Sequence, residues 1–188
     1  MNNILENKRI AILATDGFEE IELTEPKKAL EREGAVVDIV SPKNGSIKAW
    51  DNDHWSNEYQ VDVNLTDADP SAYNGLMLPG GVMNPDLLRD NADAVAFTKS
   101  FFESGKPIAA ICHGPWTLIE TGALDGREVT SYSSIKTDLV NAGAKWVNKE
   151  VVVDQGLVTS RNPDDIPAFN KKMVEEFCEG VHEEQKTV

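Results

Sequence analysis

The stretch that decides the fold is Gly105–Ile119, with the sequence GKPIAAICHGPWTLI. A short apolar run between turn residues is typical of a buried strand, so we predict a strand over residues 107–111. Proline costs little in the first turn of a helix, so Gly114 and Pro115 predict a helix start. We therefore expect Cys112 at a sharp turn between a strand and a helix.

A cysteine at such a turn has two interpretations. It can be a small buried hydrophobic residue, or it can be a reactive thiol. Small residues around Cys112 resemble a nucleophile elbow, and a helix start beside His113 would lower the thiol pKa below its free value of about 8.5. We favour the reactive thiol and predict that Cys112 is alkylated faster than Cys178, which falls in the apolar pattern of the last helix and is expected in the core.

The composition narrows the functional classes. The chain has 188 residues and a net charge of −14, which fits one acidic domain and disfavours nucleic acid or an anionic membrane as a partner. Two cysteines are too few for a disulfide framework and indicate a reducing compartment. The first residues lack the apolar core of a signal peptide, and no apolar run could span a bilayer, so we predict a cytoplasmic protein.

Strands and helices alternate along the chain. We predict a strand over 8–14, a helix over 20–33 and a second strand over 35–40. Proline is tolerated in the first turn of a helix, so the helix proper is expected to start near Thr24, ahead of Pro26. This alternation predicts an α/β fold with a mostly parallel sheet covered by helices on both faces.

The other predicted elements complete this pattern. Residues 43–60 are irregular and could hold a short hairpin, and 180–188 are expected to form a frayed tail. We predict strands over 59–65, 73–78 and 128–132, a hairpin over 149–160, and helices over 85–88, 92–104, 135–142 and from Asn162 to about Glu179.

Four segments follow strands and are expected to meet at one edge of the sheet, where α/β proteins bind ligands. They are residues 15–20, 79–81, 112–113 and 160–162. The N–H groups of Gly80 and Gly81 could form an oxyanion hole, although Pro-Gly-Gly alone is usually only a turn.

Four acidic residues crowd the end of the first strand: Asp16, Glu19, Glu20 and Glu22. A buried carboxyl that keeps its proton could donate a hydrogen bond to the Cys112 thiolate. Acidic residues are also common at helix starts on the surface, and both interpretations stay open. His54 and His182 have no ligand companions in the sequence, so we expect no metal site.

Taken together, these motifs resemble the PfpI family, the intracellular protease and protein deglycase group of the class I glutamine amidotransferase-like superfamily. The resemblance covers about residues 8–178. It implies a flavodoxin-like three-layer sandwich forming one domain over 1–188, with a cysteine on a nucleophile elbow. The motifs are Ala110–Pro115, Leu78–Gly81, Phe18–Glu19, Val151–Asp154, Thr159–Arg161 and Pro163–Asp165.

The family pattern also implies roles for single residues. Glu19 would contact the Cys112 thiol, with Glu20 as the rival, and His113 would be the partner base. Asp86, supplied by a neighbouring subunit, best matches the acid that orients this histidine, which implies a homodimer or a larger homo-oligomer. Gly80, Gly81 and His113 would bind the substrate or its oxyanion, and no cofactor is implied.

The resemblance implies a stress-related cysteine enzyme that attacks carbonyls. Its substrate would be a small carbonyl compound, a glycated protein or a peptide, through deglycase, glyoxalase or peptidase chemistry. Amidotransferases carry His-x-Glu after the last strand, where this chain has Ser160-Arg161-Asn162, so glutamine hydrolysis is not expected. The Trp50–Glu58 segment could shape the pocket or subunit contacts. The alternative is a redox sensor or chaperone that uses reversible oxidation of Cys112, stabilised by Glu19.

Overall fold

The computed structural model describes residues 3–185, and a seven-stranded sheet lies at its centre. The strands of this sheet are β1 (Arg9–Leu13), β3 (Val36–Ser41), β6 (Val63–Asn64), β7 (Gly75–Leu78), β8 (Ile108–Ile111), β11 (Val151–Asp154) and β12 (Leu157–Ser160). Their order across the sheet is β6-β3-β1-β7-β8-β12-β11, and every neighbouring pair is parallel except β11 with β12.

Helices cover both faces of this sheet, and each face has its own apolar core. Alternation along a strand divides the side chains between the faces: in β1, Ile10 and Ile12 join one core, and Ala11 and Leu13 join the other. The first core packs against α1 (Glu20–Arg32) and α6 (Ile166–Glu179), and the second packs against α2 (Met83–Arg89), α3 (Ala92–Glu103), α4 (Pro115–Ile119) and α5 (Lys136–Asn141). The predicted three-layer α/β fold is confirmed.

The first helix differs from its prediction. It begins at Glu20 rather than near Thr24, so Pro26 lies inside it and is buried. A proline there has no N–H to donate to the carbonyl of Glu22, four residues earlier. The lost bond is tolerated because the helix buries Leu23, Pro26 and Leu30 against the sheet.

The irregular segment forms a hairpin that extends beyond the main sheet. Strands β4 (Ser46–Asp51) and β5 (His54–Gln60) pair antiparallel, with a bulge between Lys48 and Trp50. Strand β4 also pairs with β2 (Phe18–Glu19), directly after the exit of β1. The predicted hairpin is therefore present, and it lies beside the carboxyl edge of the sheet.

The Glu20 carboxylate holds this hairpin to the start of α1. It accepts hydrogen bonds from Ser56 Oγ at 2.5 Å, Asn57 Nδ2 at 2.8 Å and the Tyr59 hydroxyl at 2.5 Å. These bonds lower the pKa of Glu20 in spite of the opposing effect of its burial. Glu20 therefore has a structural role, and the sequence-based alternative that it contacts Cys112 is wrong.

The C-terminal segment is packed rather than frayed as far as Gln185. Gln185 is fully buried, and its side chain donates to the Lys106 carbonyl at 3.2 Å. The backbone N–H of His182 donates to the Gly105 carbonyl at 2.7 Å. Residues 186–188 of the predicted tail lie outside the described residues.

A separate two-stranded sheet pairs β9 (Glu128–Val129) with β10 (Lys145–Trp146).

We expect Glu20→Ala to loosen the hairpin selectively, because it removes the acceptor of three hydrogen bonds. Hydrogen–deuterium exchange should accelerate across residues 46–60 and stay unchanged in β7 and β8. Glu58→Ala is the matched control, because Glu58 lies on the same hairpin, is exposed and accepts one bond from Ser46. Equal exchange in the two variants would contradict the assigned role of Glu20.

Candidate active site

Cys112 lies at the end of β8 in a strained backbone conformation. Its φ angle is 61°, in the left-handed region that side chains other than glycine rarely adopt, and such strain concentrates at functional sites. Backbone bonds hold it there: Cys112 N donates to the Ser160 carbonyl at 3.0 Å, and Tyr132 N donates to the Cys112 carbonyl at 2.9 Å. The following helix α4 has only five residues.

The two glycines after β7 let this loop approach the thiol closely. A Cβ on Gly80 would overlap Glu22 Oε2 and would lie 2.7 Å from the Cys112 Cβ. Gly81 has a φ of 73°, and a Cβ there would lie 2.7 Å from Glu19 N. Both positions therefore need glycine, and the predicted meeting of this loop with the cysteine turn occurs in the structure.

The carboxyl beside the Cys112 thiol belongs to Glu22, so the prediction of Glu19 for this contact is wrong. Glu22 is fully buried in the first turn of α1. Its Oε2 accepts a hydrogen bond from Gly80 N at 3.0 Å, and its Oε1 has no hydrogen-bond partner among residues 3–185. The carboxyl and the Cys112 thiol are close enough to shift each other's pKa.

The sequence contains a pattern that indicates burial of Glu22. Glu22 shares a helical face with Pro26 and Leu30, at i, i+4 and i+8, and all three are buried. The expected helix start near Thr24 placed Glu22 outside the helix and hid this pattern.

Glu19 instead lies at the wall of the same pocket. One of its oxygens accepts a hydrogen bond from Asn52 N at 3.2 Å, at the tip of the hairpin. Burial raises the Glu19 pKa, the Asn52 bond opposes this, and the nearby Asp51 and Glu20 carboxylates raise it further.

The ionisation of Glu22 and of Cys112 is coupled. Burial raises the pKa of Glu22 to about 8, interactions with Cys112 and with backbone N–H groups oppose that shift, and the Glu19 carboxyl adds to it. Burial also raises the pKa of Cys112, and Glu22 adds to this when it is ionised, whereas the N–H groups of His113 and Gly81 lower it. The direction is opposite to the lowered thiol pKa expected from the sequence, because the thiol is more enclosed than a surface helix start.

His113 lies within reach of the thiol, as predicted. Its Nδ1 is 3.2 Å from Cys112 Sγ, and its Nε2 is 3.1 Å from Ser134 Oγ. The ring stacks on Tyr132 with centroids 4.7 Å apart. Burial lowers the His113 pKa, so the ring is neutral at pH 7 and can exchange a proton with the thiol.

Two residues of α2 have different roles. Asp86 is exposed and lies by a separate depression with Arg89 and Glu120; Ser134, not Asp86, is the partner of His113 within one chain. Asn84 is fully buried: its Oδ1 accepts a hydrogen bond from Thr15 N at 2.8 Å, and its Nδ2 donates to the carbonyls of Pro79 and Gly80. Asn84 thus joins the Pro-Gly-Gly loop to the exit of β1.

These groups surround an open cavity of about 450 Å³. The N–H of Gly80 donates to the Glu22 carboxyl, so the predicted use of Gly80 as an oxyanion donor is not supported. The N–H groups of Gly81 and His113 face the thiol. The cavity is lined by Gly17, Glu19, Glu22, Trp50, Asn52, Gly81, Val82, Met83, Cys112, His113, Tyr132 and Pro163.

The other cysteine and the possible metal ligands lie away from this cavity. Cys178 is exposed on α6 rather than packed in the core as expected.

Among residues 3–185, one group of side chains has potential metal-ligand atoms within 4.8 Å of one another, namely Glu176, Glu179 and His182. His182 Nε2 lies 3.3 Å from Glu176 Oε2. In the same part of the chain, no helix is long and apolar enough to cross a membrane.

The fold and the site together define a class: a flavodoxin-like α/β protein with a strained cysteine turn beside a buried glutamate and a histidine. A model of the DJ-1/PfpI family matches residues 8–176, and the chain belongs to this family.

Known relatives agree with this assignment. The chain is 46% identical over 166 residues to general stress protein 18 of Bacillus subtilis, covering 88% of this chain and 95% of the relative. It is 43% identical over 168 residues to deglycase TK1284 of Thermococcus kodakarensis, covering 88% and 97%. The crystal structure of Drosophila melanogaster DJ-1beta superposes with a TM-score of 0.82 at 28% identity, covering 95% of this chain and 93% of that one.

We expect substitutions of Glu22 to change how Cys112 ionises. In the wild type, two coupled groups share protons, so alkylation by iodoacetamide should rise in two steps with pH. Glu22→Gln and Glu22→Ala remove the carboxyl whose ionisation is coupled to that of the thiol and should give one step. Gln keeps a hydrogen-bond donor for the thiolate, so the thiol pKa should be about 1 unit lower in Gln than in Ala.

The measurement is thiolate absorbance together with the alkylation rate from pH 5 to 10. Glu19→Ala is the control and should retain the two-step profile, because Glu19 bonds to Asn52 rather than to the thiol. The same single-step pKa in both Glu22 variants would show that Glu22 makes no hydrogen bond to the thiolate.

Proposed function

We propose that this protein is a cofactor-free cysteine enzyme in which the Cys112 sulfur adds to the carbonyl of a small aldehyde or of a glycated side chain. The observation that carries the proposal is the strained Cys112, with His113 Nδ1 3.2 Å from its sulfur and the buried Glu22 carboxyl beside it. Relatives named as a deglycase and as a general stress protein support a stress-related role.

The first step is addition of the thiolate to the carbonyl carbon, which places negative charge on the carbonyl oxygen. The N–H groups of Gly81 and His113, which lower the pKa of the thiol, would stabilise that oxyanion. Because the thiol pKa is raised and the His113 pKa is lowered, His113 Nδ1 takes the thiol proton as the carbon–sulfur bond forms and then returns it to the oxygen. Adduct formation therefore needs no proton donor or acceptor other than His113.

The second step moves a proton between carbons of the adduct. With methylglyoxal as substrate, the aldehyde carbon is oxidised and the ketone carbon is reduced, and water then releases lactate from the sulfur. Methylglyoxal plus water equals lactic acid, so no external oxidant or reductant is needed. Glu22, whose pKa is raised to about 8 by burial, is suited to hold this proton near neutral pH.

In a glycated amine or thiol, the carbinol carbon forms a bond to the Cys112 sulfur as its bond to nitrogen or sulfur breaks. The free amine or thiol leaves with the thiol proton, and the resulting adduct follows the same path. A peptide amide is a harder substrate, because its leaving nitrogen must be protonated during cleavage. His113 is the group nearest the sulfur that could supply that proton, but burial lowers its pKa and leaves the ring neutral at pH 7. We therefore place deglycase and glyoxalase chemistry ahead of peptidase activity.

A second candidate is reversible oxidation of Cys112 by a peroxide. The Gly81 and His113 N–H groups and a protonated Glu22 would stabilise a sulfenate, the reversible oxidation product, as they would an oxyanion. Intact-mass analysis after peroxide treatment, in parallel with activity, separates the two functions: an enzyme turns over lactate with Cys112 reduced and loses turnover as it oxidises.

The central test is conversion of methylglyoxal to lactate by the purified protein. We expect Cys112→Ala to abolish lactate formation, and Glu22→Gln to lower kcat by about a hundredfold, because it keeps a donor but cannot transfer the proton. Cys178→Ser is the matched control and should keep full activity, because Cys178 lies on α6 away from the cavity. Lactate formation by Cys112→Ala would refute the assignment of Cys112 as the nucleophile.

We further propose that the protein self-associates through the surface of α2 around Asp86. Three apolar side chains there are exposed, namely Val82, Met83 and Leu87, and an exposed apolar cluster is typical of an interaction surface. A second copy docked on this surface could bring its Asp86 toward His113 and orient the imidazole.

We expect light scattering to give a dimer or a larger assembly for the wild type. Leu87→Glu should shift the mass to the monomer and lower activity, because it puts charge into the interface. Val181→Glu is the control, since Val181 is similarly exposed at the other end of the chain. A fully active monomeric wild type would exclude a shared site.

A further inference from the structure

We propose that the cavity selects carbonyl adducts that carry a positive charge, with Glu19 as the group that binds that charge. The inference rests on the proposed function for its substrate, but the electrostatic preference belongs to the cavity itself. The chemical class is an amine, ammonium or guanidinium compound whose carbonyl adduct reaches Cys112.

The first support is the charge of the cavity wall. Its lining residues include two carboxyl groups, Glu19 and Glu22, and no lysine or arginine. His113 contributes no positive charge at pH 7, because burial lowers its pKa. An anionic substrate would therefore meet no cation in the cavity, whereas a cationic one would meet carboxylate oxygen.

The second support is the lack of a cation paired with Glu19 within residues 3–185. Its hydrogen bond comes from the Asn52 backbone N–H, and the charged groups that act on it are acidic, namely Asp51 and Glu20. Lys43 is paired with Asp16 at 2.6 Å, and the Lys48 ammonium lies over the Trp55 ring at 5.7 Å from its centroid. Glu19 is thus available to a ligand.

The third support is the position of the hairpin. Trp50 and Asn52 line the cavity beside Glu19, and the Asn52 N–H fixes one of the two Glu19 oxygens. An indole ring next to a carboxylate is a favourable environment for an ammonium or guanidinium group. The segment that the sequence marked as unusual therefore completes a cation subsite next to the thiol.

The first experiment measures the charge preference without any turnover. In a Cys178→Ser background, Cys112 is modified by two methanethiosulfonates of similar size, one with a trimethylammonium group and one with a sulfonate. The Cys112 sulfur forms a disulfide with the reagent and methanesulfinate leaves. The ratio of the two rates, relative to the ratio for mercaptoethanol, reports the potential at the sulfur, because changes in the thiol pKa cancel.

We expect this normalised ratio to favour the cationic reagent, and to fall about three- to tenfold in Glu19→Gln at low salt. Glu19→Asp keeps the charge and should retain most of the preference, which separates charge from damage to the fold. Glu103→Gln is the control for net charge, because Glu103 is exposed at the end of α3, outside the cavity lining. A ratio unchanged by Glu19→Gln would overturn the proposal.

The second experiment tests the substrate preference. Hemithioacetals of methylglyoxal are formed with thiocholine, mercaptoethanol and mercaptopropionate, which differ in charge. We expect kcat/KM to fall in that order, through KM, and the order to flatten in Glu19→Gln. No turnover of any of the three would refute the proposed function but leave the reagent ratio as evidence on the cavity, whereas turnover without a charge order would refute the subsite.

Discussion

The buried contact of the Glu22 carboxyl with Gly80 and Cys112 is the constraint on which the rest of the site depends. A carboxyl removed from water is costly when ionised, and here it either keeps its proton or shares one with the thiol. Its Oε2 takes the Gly80 N–H, so the Pro-Gly-Gly loop must come close to α1. The same loop leaves room for the cysteine only because Gly80 has no side chain.

This arrangement has a conformational cost that the core offsets. A residue such as Cys112 at a positive φ stores about 1–3 kcal/mol of strain, and two glycines are ordered in the adjacent loop. Strand β8, which carries the cysteine, is fully buried between β7 and β12. The buried Asn84 side chain joins the loop to the exit of β1 through three hydrogen bonds. A rigid sheet edge therefore holds the reactive group in place.

The acidic residues after β1 divide their roles according to the direction of each side chain. Glu20 faces the hairpin and secures it, Glu22 faces the thiol, and Glu19 faces the open cavity. One short segment thus supplies an anchor, a proton-holding group and a candidate substrate contact. The β4–β5 hairpin connects these roles, because Glu20 holds the strand that pairs with the one bearing Trp50.

The sequence by itself determined the α/β fold, the position of Cys112 at a strand end, and the convergence of His113 and the Pro-Gly-Gly loop, because each follows from local apolar runs and turn residues. It did not decide which glutamate meets the thiol, since one residue of register at the start of α1 changes the face of each side chain. It also missed the raised thiol pKa and the packed residues up to Gln185. Those depend on burial by segments distant in sequence, so only the tertiary structure decided them.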